Sequence, residues 1–160
     1  MKTKLLFPYR FKKIGWILLV PATVLGILYL FFDFEPDLLK VNVFAIYATG
    51  EFLSGSSRLF QMVGNNITDE IAAVLFIVGA LFVAFSREKT EDEFISKTRL
   101  ESLVWATYVN YAILIFCILF FYDMAFFWVM ILNLFTILIF FILRFYFILY
   151  LSKKSLGHEK

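Results

Sequence analysis

The chain is poor in the residues that carry most soluble chemistry. It has one cysteine, Cys117, and one histidine, His158. A lone cysteine permits no intrachain disulfide, no Cys-x-x-Cys redox pair and no multi-cysteine metal site, which excludes a membrane thiol oxidoreductase. A lone histidine close to the end of the sequence excludes His-dependent triads and the usual histidine-bearing haem and zinc sites. Its seven glycines form no phosphate-cradling loop. Charge is short as well: 18% of residues are Asp, Glu, Lys or Arg, against about 25% in soluble domains. No cofactor and no metal is expected.

What fills the space is apolar. Of 160 residues, 62% are hydrophobic, 22 are Phe, and the mean hydropathy is +0.84. One domain of this size lacks the polar surface to clothe so much Phe, Ile and Leu in water. The composition therefore predicts an all-α membrane protein with a single membrane domain and four transmembrane helices.

Crossing a hydrocarbon core of about 30 Å takes about 20 apolar residues. The spans are expected over about 14–32, 68–86, 101–121 and 124–144. The second is short, but no charge interrupts it between Glu70 and Arg87. The basic start of the chain resembles a signal peptide; the first apolar run is too long for one and no small-residue cleavage site follows. It reads as a retained span bent at Pro21.

Thirteen Lys and Arg residues fall before span one, between spans two and three, or after span four, while only Lys40 and Arg58 fall in the other connections. By the positive-inside rule both termini lie in the cytoplasm. The outer loop, 33–66, contains a β-favouring stretch from Lys40 to Tyr47. A two-stranded ribbon turned near Gly50 to Ser57 competes there with a short interfacial helix. Asn66-Ile67-Thr68 fits a glycosylation sequon but reads better as the capped start of span two.

The inner segments suggest helices longer than the membrane requires, with cytoplasmic extensions at 91–100 and 145–152. Thr90 and Glu93 form a capping box, so helix three should begin near Glu91. Tyr122-Asp123 is the only plausible turn before helix four, with Asp123 as its N-cap. In a tight antiparallel hairpin, residues at equal height have numbers summing to about 245. That places Arg144 level with Glu101, Asn133 within a turn of Asn110, and Phe147 and Leu151 level with Thr98 and Phe94.

Three candidate sites follow. Asn110, Asn133, Thr136 and Tyr111 are deep polar residues, read as an interhelical clamp; the alternative is a solute or ion path, but no ionisable residue marks one. Glu101 and Arg144 are expected to form an ion pair at the inner interface, or else an anionic-lipid headgroup site built from Arg144 with Arg99 and Lys13. Phe94, Ile95, Phe147 and Tyr150, with Phe145 and Tyr146, offer more aromatic surface at the cytoplasmic end of the hairpin than two helices can hide, and so a possible partner surface. Small-residue pairs at Ala22/Gly26, Ala80/Ala84 and Ser102/Ala106 are expected to pack helices closely. The basic residues are too scattered for nucleic acid.

The stretch from Phe85 through Arg87-Glu-Lys-Thr-Glu-Asp-Glu93 to Asn110 and Tyr111 resembles a group of small bacterial four-span membrane proteins with no assigned activity. The resemblance extends to Asn133 and Arg144 and implies a bacterial inner membrane and nothing catalytic. The reading is a monomeric, non-enzymatic accessory, sensor or scaffold subunit. An oligomeric channel, pore-forming effector or small-solute transporter is the alternative, and a lipid-modifying enzyme a weaker one.

Overall fold

The computed structural model describes residues 5–32, 34–49 and 57–158. Four helices carry the chain: α1 (Tyr9–Phe32), α2 (Thr68–Phe85), α3 (Glu93–Phe120) and α4 (Asp123–His158). All four are long and apolar enough to cross a membrane. Between α1 and α2 lie a single 3-10 turn (Asp37–Leu39) and two antiparallel strands, β1 (Lys40–Thr49) and β2 (Ser57–Asn66). Of the two readings of the outer loop, the ribbon is therefore the one that forms. The turn expected near Gly50 to Ser57 falls largely outside the described residues.

The chain divides into two compact units, one of residues 20–76 and one of residues 1–19 with 77–160. In the first, the strands pair from Lys40 opposite Asn66 to Thr49 opposite Ser57. The base of the ribbon is closed by the Ile67 amide donating to the Leu39 carbonyl at 3.1 Å. Asn66 caps α2: its side-chain oxygen accepts from the Thr68 amide and hydroxyl, while its amide donates to the Pro36 carbonyl. One ribbon face carries exposed Phe44, Ile46, Phe60 and Met62, with the Phe44 and Phe60 rings stacked at 6.2 Å. Phe60 adopts a φ of 56°, a left-handed conformation costly for a bulky side chain.

In the second unit the beginning of α1, the end of α2, and α3 and α4 share one core. Its centre is Ala80, Val83, Ala84, Ala106, Phe141 and Phe145, each almost wholly buried. On α4, Phe141, Phe145 and Leu149 recur at helical spacing and face this core. Phe85, Phe141 and Phe145 stack in series at 5.6 and 5.8 Å.

Helix α3 begins two residues later than expected. Asp92, not Thr90, is its N-cap, accepting the Ile95 amide at 2.8 Å. Glu91 cannot join the first turn, because its carboxylate is held outside the helix by the Glu88 amide and by Arg99. The α3–α4 connection is only Phe121 and Tyr122, and Asp123 enters α4 with a φ of 56°, a region Asp tolerates better than most residues.

One close helix approach falls at glycines that the small-residue pairs above do not include. A methyl placed on Gly15 of α1 would lie 2.8 Å from the Val83 amide nitrogen and 2.9 Å from the Gly79 carbonyl oxygen. One placed on Gly79 of α2 would lie 2.8 Å from the Leu19 amide nitrogen. The two glycines let the backbones of α1 and α2 touch. Gly26, the anticipated contact residue, has nothing within 4 Å of the same test position.

Gly79→Ala must therefore push two backbones apart, and overpacking of this kind costs about 1–3 kcal/mol. Gly26→Ala should be neutral or stabilising by up to about 1 kcal/mol, since it only removes a mid-helix glycine. Thermal melts of the two variants in one detergent check the contrast.

Candidate functional site: a charged and aromatic end of the helix cluster

Charged residues collect where α1, the α2–α3 connection and α3 meet the aromatic face of α4. Arg99 lies on the core stripe of α3, in line with Ser102, Ala106 and Asn110, and is only 7% exposed. A guanidinium cannot shed its charge and needs acceptors. Its Nη1 donates to Glu91 Oε1 at 2.6 Å, and Nη2 donates to Glu91 Oε2 and to the Ser86 carbonyl at 3.3 Å each. The Phe145 ring lies 5.2 Å from the guanidinium carbon, within range of a cation–π attraction.

A second pair stands beside the first. Lys12 of α1 donates to both carboxylate oxygens of Glu88, at 2.7 and 2.8 Å. Its ammonium also lies 4.6 Å from the centre of the Tyr146 ring. The Glu88 amide donates to Glu91 at 2.9 Å, so the two pairs share one connection. Burial alone would raise the Glu91 carboxyl. Hydrogen bonds from Arg99 and the Glu88 amide, with the charges of Arg99 and Arg87, outweigh burial and hold it below its ordinary value of 4.5.

This arrangement changes the account of two expected sites. Phe145 is fully buried and Ile95 is 9% exposed, so neither belongs to a free partner surface. A charged core needs polarisable ring faces and apolar cover, and these residues supply them. Phe94, Phe147 and Tyr150 remain exposed, on faces turned away from that core. Arg99 is likewise unavailable to a lipid site, being engaged by Glu91.

Glu101 and Arg144 do not pair. Glu101 faces Lys97 at 3.9 Å, and the Arg144 guanidinium lies 4.9 Å from the Trp105 ring centre. Side chains lean toward the N-terminus of their own helix. In an antiparallel hairpin two residues at equal height therefore lean apart: Arg144 leans toward the turn and meets Trp105, one turn beyond Glu101.

Deeper in the hairpin, Asn110 and Asn133 exchange two amide hydrogen bonds at 3.3 Å. Thr136 donates to the same Asn110 oxygen and also to the Asn133 carbonyl. Asn110 is 4% exposed. Tyr111, grouped with these residues from sequence, points outward and takes no part. The unit of residues 20–76 carries a separate open cleft of about 450 Å³, lined by Tyr29, Glu35, Asn42, Asn65 and Asp69 among others. No group of three or more His, Cys, Asp or Glu side chains able to hold a metal occurs among the described residues.

Sequence reasoning missed the Lys12–Glu88 and Glu91–Arg99 pairs. The available signal was Arg99 itself, a cation on the same helical stripe as Ser102, Ala106 and Asn110, which requires a carboxylate nearby. Compared with protein-family models, curated proteins and solved structures, the chain matches none.

Arg99→Met strands Glu91 and should cost about 3 kcal/mol, the lower end for a broken buried pair because Glu91 keeps some contact with water. Because the Glu91 carboxyl is depressed in the fold, its contribution is complete above pH 4.5 and is lost as pH falls through the lowered value. Melting temperatures from pH 7 to pH 3 should therefore fall less steeply in Glu91→Gln than in the parent. Separately, a double-mutant cycle of Asn110→Leu and Asn133→Leu should return a coupling near 0.6 and below about 1.7 kcal/mol, the range measured for hydrogen bonds between membrane helices.

Proposed function

We propose that the chain is a non-enzymatic, multi-pass protein of a bacterial inner membrane, with both termini in the cytoplasm. It serves as an accessory, sensor or scaffold subunit that docks a protein partner on the cytoplasmic end of the α3–α4 hairpin. The observation that carries this reading is the split of aromatic residues at that end. Phe145 and Tyr146 are occupied by Arg99 and Lys12, whereas Phe147 and Tyr150 are 62% and 65% exposed. Both follow Arg144, beyond the length of helix that a membrane core requires.

A rigid base supports such a surface. The two ion pairs tie α1, the α2–α3 connection and α3 together, so exposed aromatics near them are held rather than free to collapse. The alternative, an oligomeric channel or transporter, draws on Asn110 and Asn133. Those residues satisfy one another, which favours a clamp over a path.

A photo-crosslinking residue at Phe147 in living cells tests the docking surface. The expected result is one predominant protein adduct, lost when Phe94 and Tyr150 are changed to Ala while the melting temperature is unchanged. Adducts only between copies of this chain, together with ion flux in liposomes that Asn110→Leu alters, would overturn docking in favour of the channel.

A further inference from the structure

Arg144 stands alone in the apolar run of α4. No charged residue lies between Met124 and Leu143, and Phe145–Leu151 adds seven more uncharged positions. At 1.5 Å per residue, Arg144 lies about 30 Å along the helix from Met124, which is the thickness of a hydrocarbon core. If Asp123 marks one boundary of the hydrocarbon core, the Arg144 backbone marks the other, at the base of the headgroup region.

Its protein environment leaves its donors unfilled. A guanidinium carries five N–H groups in one plane. Among the described residues its only partner is the Trp105 ring, whose face attracts the cation but offers the in-plane N–H groups no lone pair. The carboxylate at the same height, Glu101, is turned toward Lys97. The nearby Arg99 is neutralised by Glu91. The local charge is therefore one unbalanced cation, fixed over an indole, with exposed Phe147 and Tyr108 one turn away on their respective helices.

We propose that Arg144 and Trp105 form a binding site for the headgroup of an anionic phospholipid. The guanidinium donates two parallel hydrogen bonds to phosphate oxygens, Trp105 holds it at the interface, and Tyr108, one turn nearer the α3–α4 turn, lies against the upper part of the acyl chains. A phosphate oxygen is the group recognised. A lipid supplies it, because the same surface is otherwise apolar and would exclude a hydrated free ion. The site rests on the membrane-spanning reading above but not on the docking surface.

The test uses the full chain in liposomes, with Trp16 and Trp128 changed to Phe so that Trp105 is the only fluorophore of its kind. Brominated phosphatidylglycerol should quench Trp105 more strongly than brominated phosphatidylcholine at equal mole fraction. The preference should disappear in Arg144→Gln and be reduced in Arg144→Lys, which cannot make the bidentate contact. In detergent, phosphatidylglycerol should raise the melting temperature of the parent, its apparent affinity falling about tenfold in Arg144→Gln, while inorganic phosphate gives no shift. Equal quenching of Trp105 by the two lipids overturns the site, whether or not the Arg144 variants fold. An equal shift with inorganic phosphate also overturns it, as a free-anion site. Absence of quenching by either lipid would instead overturn the membrane-spanning reading, and the site with it.

Discussion

The guanidinium of Arg99 is the group around which one end of the molecule is arranged. A cation on the core stripe of a helix is tolerable only if acceptors come to it. Glu91 and the Ser86 carbonyl do so from the α2–α3 connection, and Phe145 covers the group from α4. Glu88, bonded through its amide to Glu91, brings in Lys12 and with it α1. Such pairs add little net stability compared with well-packed apolar residues. Their effect is on register. Once Arg99 is seated against Phe145, the height of α3 against α4 is set, and Asn110 meets Asn133 further along.

The same register decides where charges fail to meet. Both helices of the hairpin rise equally from the turn, so heights can be read by counting residues. Directions cannot be read that way, because each helix tilts its side chains toward its own N-terminus. Short side chains such as Asn110 and Asn133 bridge the divergence. The long ones amplify it: Glu101 swings toward Lys97 and Arg144 toward Trp105. One geometric rule thus accounts for a pair that forms and a pair that does not.

What could be read from the sequence divides along this line. The four apolar helices and a tight turn at Tyr122 rest on local patterns and are legible, whereas the ribbon over Lys40–Asn66 was legible only as one of two readings, because a β-favouring stretch beside a membrane fits an interfacial helix equally well. The polar contact of Asn110 with Asn133 was legible because height alone suffices for it. The meeting of Gly15 with Gly79 was not, since it depends on two backbones 64 positions apart and nothing local distinguishes those glycines from Gly26. Burial of Ile95 and Phe145 was equally hidden. A surplus of aromatic residues looks like spare surface until the cations that need ring faces are located.

That last point bears on what remains unexplained by packing. Helix α4 has 36 residues, about 54 Å at helical rise, whereas a hydrocarbon core spans about 30 Å. On the membrane-spanning reading, roughly 24 Å of helix stands beyond one boundary, or a smaller length if the helix tilts. One face of the segment just past Arg144 is accounted for: Phe145 and Leu149 are buried, and Tyr146 borders Lys12. The opposite face, with Phe147, Tyr150 and Leu151, makes no such contact and is still apolar. Lipid can cover it only as far as the headgroups reach. On the docking proposal a partner covers the apolar face that outlasts the membrane, and it is this face, more than the overall excess of phenylalanine, through which the composition of the chain bears on that proposal.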